Sequence, residues 1–263
     1  MRTITCAAVL LTAATASAQW LDYPAKNIPR TKDGKPVLTA KAPKTRDGKP
    51  DLSGTWLPDN TEGVNGTNGE PLPGHFISVT FDMKNEDVPF TADGAAVFKK
   101  NLDGQGKNDP ISFCRPTGVP SVDMLPIPYK IVQTPGLLVI LYEGDTVYRQ
   151  VFTDGRPLPE VSIPSWMGYS VGRWDGDTLV VETVGFNDKS WLDRIGHTHS
   201  DQMRVIEKFR RRDLGHMDIA ITIDDPKTFT RPITFTQPNT LTPDGDLLEY
   251  FCSENEQDSA HFK

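Results

Sequence analysis

The chain has three cysteines and five histidines in 263 residues, and it is short of positive charge, with a formal net charge of −7. Each scarcity excludes something. No Cys-x-x-C pair occurs, so neither a dithiol redox motif nor a cysteine-built zinc site is available. Apolar residues never continue for the ~20 positions that a membrane-spanning helix needs, so no membrane span is expected. The glycines form no dinucleotide fingerprint and no phosphate-cradling loop, which disfavours nucleotide chemistry. The acidic balance argues against nucleic acid and anionic membranes as partners. One dense basic run, residues 208–212, is flanked by Glu207 and Asp213 and reads as a solvated strand face.

What is present begins with an address. Arg2 gives a small positive start, residues 4–15 an apolar stretch, and Ala16, Ser17 and Ala18 a small-residue cleavage site. Residues 1–18 therefore read as a signal peptide cut after Ala18, and the protein as exported, periplasmic or secreted. Cys6 leaves with that segment. Cys114 and Cys252 remain, and an even pair in an oxidising compartment reads as one disulfide. It would close a loop whose entropy places the stabilisation at roughly 4–5 kcal/mol.

Residues 19–50 are rich in Pro, Lys and Gly and read as an extended N-terminal segment. They hold a short echo, residues 31–38 (TKDGKPVL) and 45–52 (TRDGKPDL), with Asp-Gly turns. From residue 51 to 263 a single folded domain is expected. One short helix is expected over residues 89–100, with Thr91 as its N-cap. Beyond Cys114 the hydrophobic period becomes two. Strands are expected over residues 129–134, 137–142, 146–152, 169–174, 178–186, 203–212, 216–224, 232–237 and 247–252, separated by turns such as Pro135-Gly136 and Asp175-Gly176. Short strands at that spacing predict an all-β, mainly antiparallel barrel or sandwich.

Alternation assigns faces. Met203, Val205, Glu207 and Phe209 share one face, so Glu207 points with an apolar set and must be paired, protonated or functional. By the same count Arg149 falls with Val147 and Val151, and Arg173 with Tyr169 and Val171. An inward Arg–Glu pair serving only as structural glue is the plain alternative.

Residues 131–143 (IVQTPGLLVILYE), 152–157 (FTDGRP), 172–187 (GRWDGDTLVVETVGFN) and 196–200 (GHTHS) together resemble a large group of secreted bacterial β-rich proteins. The resemblance covers residues 51 to about 257 and carries no activity. Gly54-Thr55-Trp56 also resembles the Gly-x-Trp opening of lipocalins. Together these imply a lipocalin-like or calycin-type closed β-barrel with an internal cavity.

The candidate chemistry gathers in residues 191–200 (WLDRIGHTHS) and the strand after them. His197 and His199 would act as acid or base, Asp193 would orient them, and Glu207 and Tyr169 would be inner-wall partners. Arg173 and Arg149 would steady an anion, and Trp191 and Trp166 would bind substrate. This predicts a lyase or isomerase acting on an aromatic, lipid-like or sugar-derived small molecule without a cofactor. A second reading is a non-catalytic barrel that binds a hydrophobic or aromatic ligand. A third is a single divalent metal on His197, His199 and Glu207, since two His two apart on a strand share a face. A Ser200 nucleophile beside His199 is not expected, since no Gly-x-Ser-x-Gly elbow is read in the chain. The oligomeric state is not fixed by any of this.

Overall fold

The computed structural model describes residues 24–60, 64–66, 69–160 and 163–252. The expected signal peptide, with Cys6, lies outside them. Nine strands close a barrel: β1 (Gly54–Pro58), β2 (Tyr129–Thr134), β3 (Leu137–Tyr142), β4 (Tyr148–Phe152), β5 (Tyr169–Asp175), β6 (Thr178–Val184), β7 (Arg204–Arg211), β8 (His216–Asp224) and β9 (Ile233–Leu241). Neighbours in sequence are neighbours in the barrel, and β9 pairs with β1 to close it. The chain is thus an all-β, lipocalin-like barrel, antiparallel at every seam but one.

The exception is β4 against β5, which run parallel and pair only at Val151–Ser170 and Phe152–Val171. The sequence reading expected a turn after β4. Residues 153–168 instead return along the barrel to its other end before β5 begins, the long connection that a parallel pair requires.

Where turns are chemically specified, the strands follow the sequence. Pro135 and Gly136 connect Thr134 to Leu137, with Gly136 at φ 77°, the left-handed value that glycine adopts without strain. Gly176, at φ 58°, does the same between β5 and β6. Inner faces alternate with outer ones: Met217, Ile219, Ile221 and Ile223 of β8 are fully buried.

Three expectations need correction. The expected strand at 232–237 runs on to Leu241 through Pro238. The Pro238 carbonyl accepts from Asp59 N, on the β1 side. The missing N–H lies on that same side, where β1 ends in Pro58, so no β8 bond is lost. Residues 247–252 form no strand. They are tethered by Leu248 N donating to Glu143 Oε2 at 2.9 Å and by the Cys114–Cys252 disulfide. The helix runs over Ala92–Asp103 (α2), with Thr91 Oγ1 accepting from Gly94 N at 3.0 Å as an N-cap should. A single turn, Gly74–Ile77 (α1), precedes it.

The two ends of the barrel are covered differently. The β2–β3, β5–β6 and β7–β8 turns share one end, and the N-terminal segment lies across it. Gly215 N donates to Leu38 O, Leu214 N to Ala40 O, and Leu52 is fully buried. Arg211 packs 4.8 Å from the Trp56 ring and donates to the carbonyls of Asp51 and Leu214. The echoed sequence makes the same turn twice. Thr31 N donates to Lys35 O and Val37 N to Pro29 O, then Thr45 N to Lys49 O and Asp51 N to Pro43 O. The same bond pattern recurs where Gly66 N donates to Glu70 O and Leu72 N to Val64 O. At the opposite end sit α2, the loop 186–203 and a buried 3-10 turn, Ser121–Met124, that carries Asp123 inward.

Candidate functional site

The barrel interior holds an ionic cluster inside an apolar wall. Arg149 of β4, Glu207 of β7 and Asp123 of the 3-10 turn are all buried. Arg149 Nη1 donates to Glu207 Oε1 at 3.0 Å and Nη2 to Oε2, a two-pronged pairing that the planar guanidinium favours. Its Nε donates to Ser170 Oγ at 2.9 Å and Nη2 also to Thr183 Oγ1 at 2.7 Å. Tyr142 OH donates to Asp123 Oδ1 at 2.6 Å, while Asp123 Oδ2 is 3.5 Å from Arg149 Nη1.

One cation cannot neutralise two carboxylates. Burial first, and the Glu207 charge second, push the Asp123 carboxyl up to about 8, against the pull of Arg149. Asp123 Oδ2 is buried and has no hydrogen-bond partner. With its carboxyl pushed up to about 8, Asp123 holds its proton at neutral pH beside the Arg149–Glu207 ion pair. Burial also raises Tyr142 and Tyr129 well above the usual phenol range.

The histidine loop is a separate structure. Asp193 Oδ1 accepts from the backbone N–H groups of Ile195, Gly196 and His197, each at 3.1 Å. Its Oδ2 accepts from Val79 N at 2.8 Å and from His197 Nδ1 at 2.5 Å. That contact fixes the His197 tautomer. The ring stacks on Phe98 at 4.2 Å and Phe90 at 5.4 Å, and its buried Nε2 has no partner. His199 Nδ1 donates to Ser200 O at 3.1 Å and Nε2 accepts from Ser190 Oγ at 2.8 Å. Burial lowers its pKa, keeping it neutral.

The structure thus joins Arg149 to Glu207 and Asp193 to His197, and leaves the remaining expected residues apart. Arg173 and Tyr169 lie on the outer face of β5, contrary to the sequence count. Arg173 is 69% exposed and 3.8 Å from Glu182, and Tyr169 OH accepts from Arg156 Nη1 at 3.1 Å. The inward positions of β5 belong to Ser170 and Gly172, because the parallel seam sets its register against β4. Trp191 is buried beside Gly196 and Trp166 is half-buried. His197, His199 and Glu207 each have other partners. Among the described residues no three His, Cys, Asp or Glu side chains group as a metal's ligands would.

Two residues escaped the sequence reading. Asp123 lies outside any strand, so alternation gives it no face. Ser170 stands in residues 168–172 (GYSVG), which do match Gly-x-Ser-x-Gly. The structure places Ser170 within a strand, buried, its hydroxyl engaged with Arg149 and Thr183. A nucleophile elbow needs a sharp strand-to-helix turn, and none is here.

Openings in the surface complete the geometry. A cavity of about 310 Å³ lies along the two-pair β4–β5 seam, lined by Arg149, Ser170, Tyr169, Phe152 and Met167. A larger one, about 520 Å³, opens at the end covered by the N-terminal segment. Compared with known proteins, the chain matches no family model, no curated protein and no solved structure. Its class is therefore defined by its own geometry: a closed all-β barrel with one disulfide and a buried carboxyl pair. Among the described residues no helix is long and apolar enough to cross a membrane.

Proposed function

We propose that this barrel is an exported small-molecule enzyme, a lyase or isomerase that moves protons with its own side chains and no cofactor. One observation carries the reading: Asp123, its carboxyl pushed up to about 8, shares a buried site with the Arg149–Glu207 ion pair, directly behind the β4–β5 seam cavity. Two carboxyl groups in opposite protonation states supply a base and an acid at one pH. Glu207 would take a proton from carbon beside a carbonyl, Arg149 would steady the oxyanion, and Asp123 would return a proton. Tyr169 and Phe152 flank the entrance and suit an aromatic or sugar-derived substrate. Entry requires the seam to part, and two residue pairs make it the weakest of the barrel.

This reading moves the acid–base pair from the histidine loop to the carboxyl groups, with Asp193 and His197 bracing the end of the barrel. Export rests on residues 1–18, and the Cys114–Cys252 disulfide supports it.

The test is solvent exchange. Mature protein is incubated in D₂O with a panel of small aromatic, hydroxy-acid and sugar-derived carbonyl compounds, and loss of carbon-bound proton signals is followed by NMR. Wild type should exchange at least one compound, and Glu207→Gln and Asp123→Asn should each lower that rate by 10²-fold or more. No exchange across the panel, or exchange that survives Glu207→Gln in a folded variant, would sink the proposal.

A further inference from the structure

A wide opening lies remote from the carboxyl pair. It lies at the barrel end where β2 turns into β3 and β5 into β6, and its volume is about 520 Å³. Pockets that hold small organic ligands run from roughly 300 to 1,000 Å³. Its floor is Leu138 and Leu179, inward residues of β3 and β6, both buried. Trp174 forms an aromatic wall, and Gln133 and Thr153 stand among its polar residues. A side chain at Gly172 would press on Leu179 Cδ1 and Val151 Cγ1 at 3.1 Å and on Thr153 Cγ2 at 3.0 Å, so glycine there keeps the floor uncrowded.

The outer wall is the second copy of the echoed turn, through Thr45, Arg46 and Asp47. That turn is fixed in place. Gln133 Oε1 accepts from Leu52 N at 2.8 Å, and its Nε2 donates to Pro50 O at 3.2 Å. Lys44 Nζ is 3.4 Å from Asp177 Oδ1, and Lys49 Nζ is 6.0 Å from the Trp174 ring. The charges in the lining are one cation, Arg46, and one anion, Asp47, adjacent on the turn. These two cancel within the lining, and the Lys49 cation is held near Asp47 and the Trp174 ring. An indole, a leucine floor and amide or hydroxyl side chains select a flat apolar body with hydrogen-bonding substituents.

We propose that this mouth is a binding site for an uncharged aromatic molecule of one or two rings carrying hydroxyl or carbonyl groups. It is independent of the seam site and of any turnover there.

The probe is 2-naphthol at pH 7, titrated calorimetrically into the mature protein, with 2-naphthalenesulfonate as the anionic comparator. One-to-one binding of 2-naphthol is expected, at least tenfold tighter than the sulfonate, and Trp174→Ala should weaken it tenfold or more. A measurement on the wild type guards against a misfolded variant: ring-current shifts on the methyl groups of Leu138 and Leu179, in a methyl-labelled NMR spectrum, should saturate with 2-naphthol. Absence of binding, equal affinity for the sulfonate, unchanged affinity in folded Trp174→Ala, or shifts confined to other methyl groups would each overturn the proposal. None of these outcomes bears on proton exchange at Glu207.

Discussion

Asp123 is the residue on which the interior turns. Its carboxyl titrates near 8 in the folded chain and at an ordinary 3.8 in the unfolded one. Between those values the folded state keeps a proton that the unfolded state has released. Folding stability from this group therefore falls as pH rises through about 4 to 8 and levels off above. Asp123→Asn keeps an acceptor for Tyr142 without a titrating proton. We expect the urea midpoint of the wild type to drop more steeply between pH 5 and 8 than that of Asp123→Asn. Parallel curves would show that Asp123 is not protonated at neutral pH. Alternation placed Glu207 and Arg149 inside because both sit in regular strands. It could not place Asp123, whose burial depends on a 3-10 turn entering from the barrel end.

At the scale of elements, the parallel β4–β5 seam is the departure that matters most. Every other seam has at least three paired residues, and β8–β9 has eight. A seam with two pairs opens before the rest. Hydrogen exchange should show amides of β4 and β5 that face the seam exchanging at least tenfold faster than those shared by β7 and β8. Uniform protection around the barrel would leave the buried carboxyl pair without a way in. The same seam explains why Tyr169 and Arg173 were expected inside. Apolar Val171 lies between them and shares their face, but that face is the outer one, and Val171 is buried there. Periodicity reports which residues share a face. It cannot say which of the two faces is the interior.

For the whole molecule, the Cys114–Cys252 bridge ties the last described residue to the segment after α2 across a separation of 138 residues. Reduction, or Cys114→Ser, should lower unfolding stability by roughly 2–5 kcal/mol, read as a shift in denaturant midpoint with and without dithiothreitol. An unchanged midpoint would mean that the tether orders only the chain end. The positions of β2 to β8, the two tight turns at Gly136 and Gly176, the Thr91 cap, the cysteine pair and the inward aim of Glu207 and Arg149 were determined by the sequence alone. All of these depend on neighbours a few residues away or on a simple count of two. The direction of the β4–β5 pairing, the burial of Asp123, the separation of the histidine loop from Glu207, and the two cavities were decided only by the tertiary structure. Each depends on which distant segments meet, and a local pattern of polar and apolar residues carries no record of that.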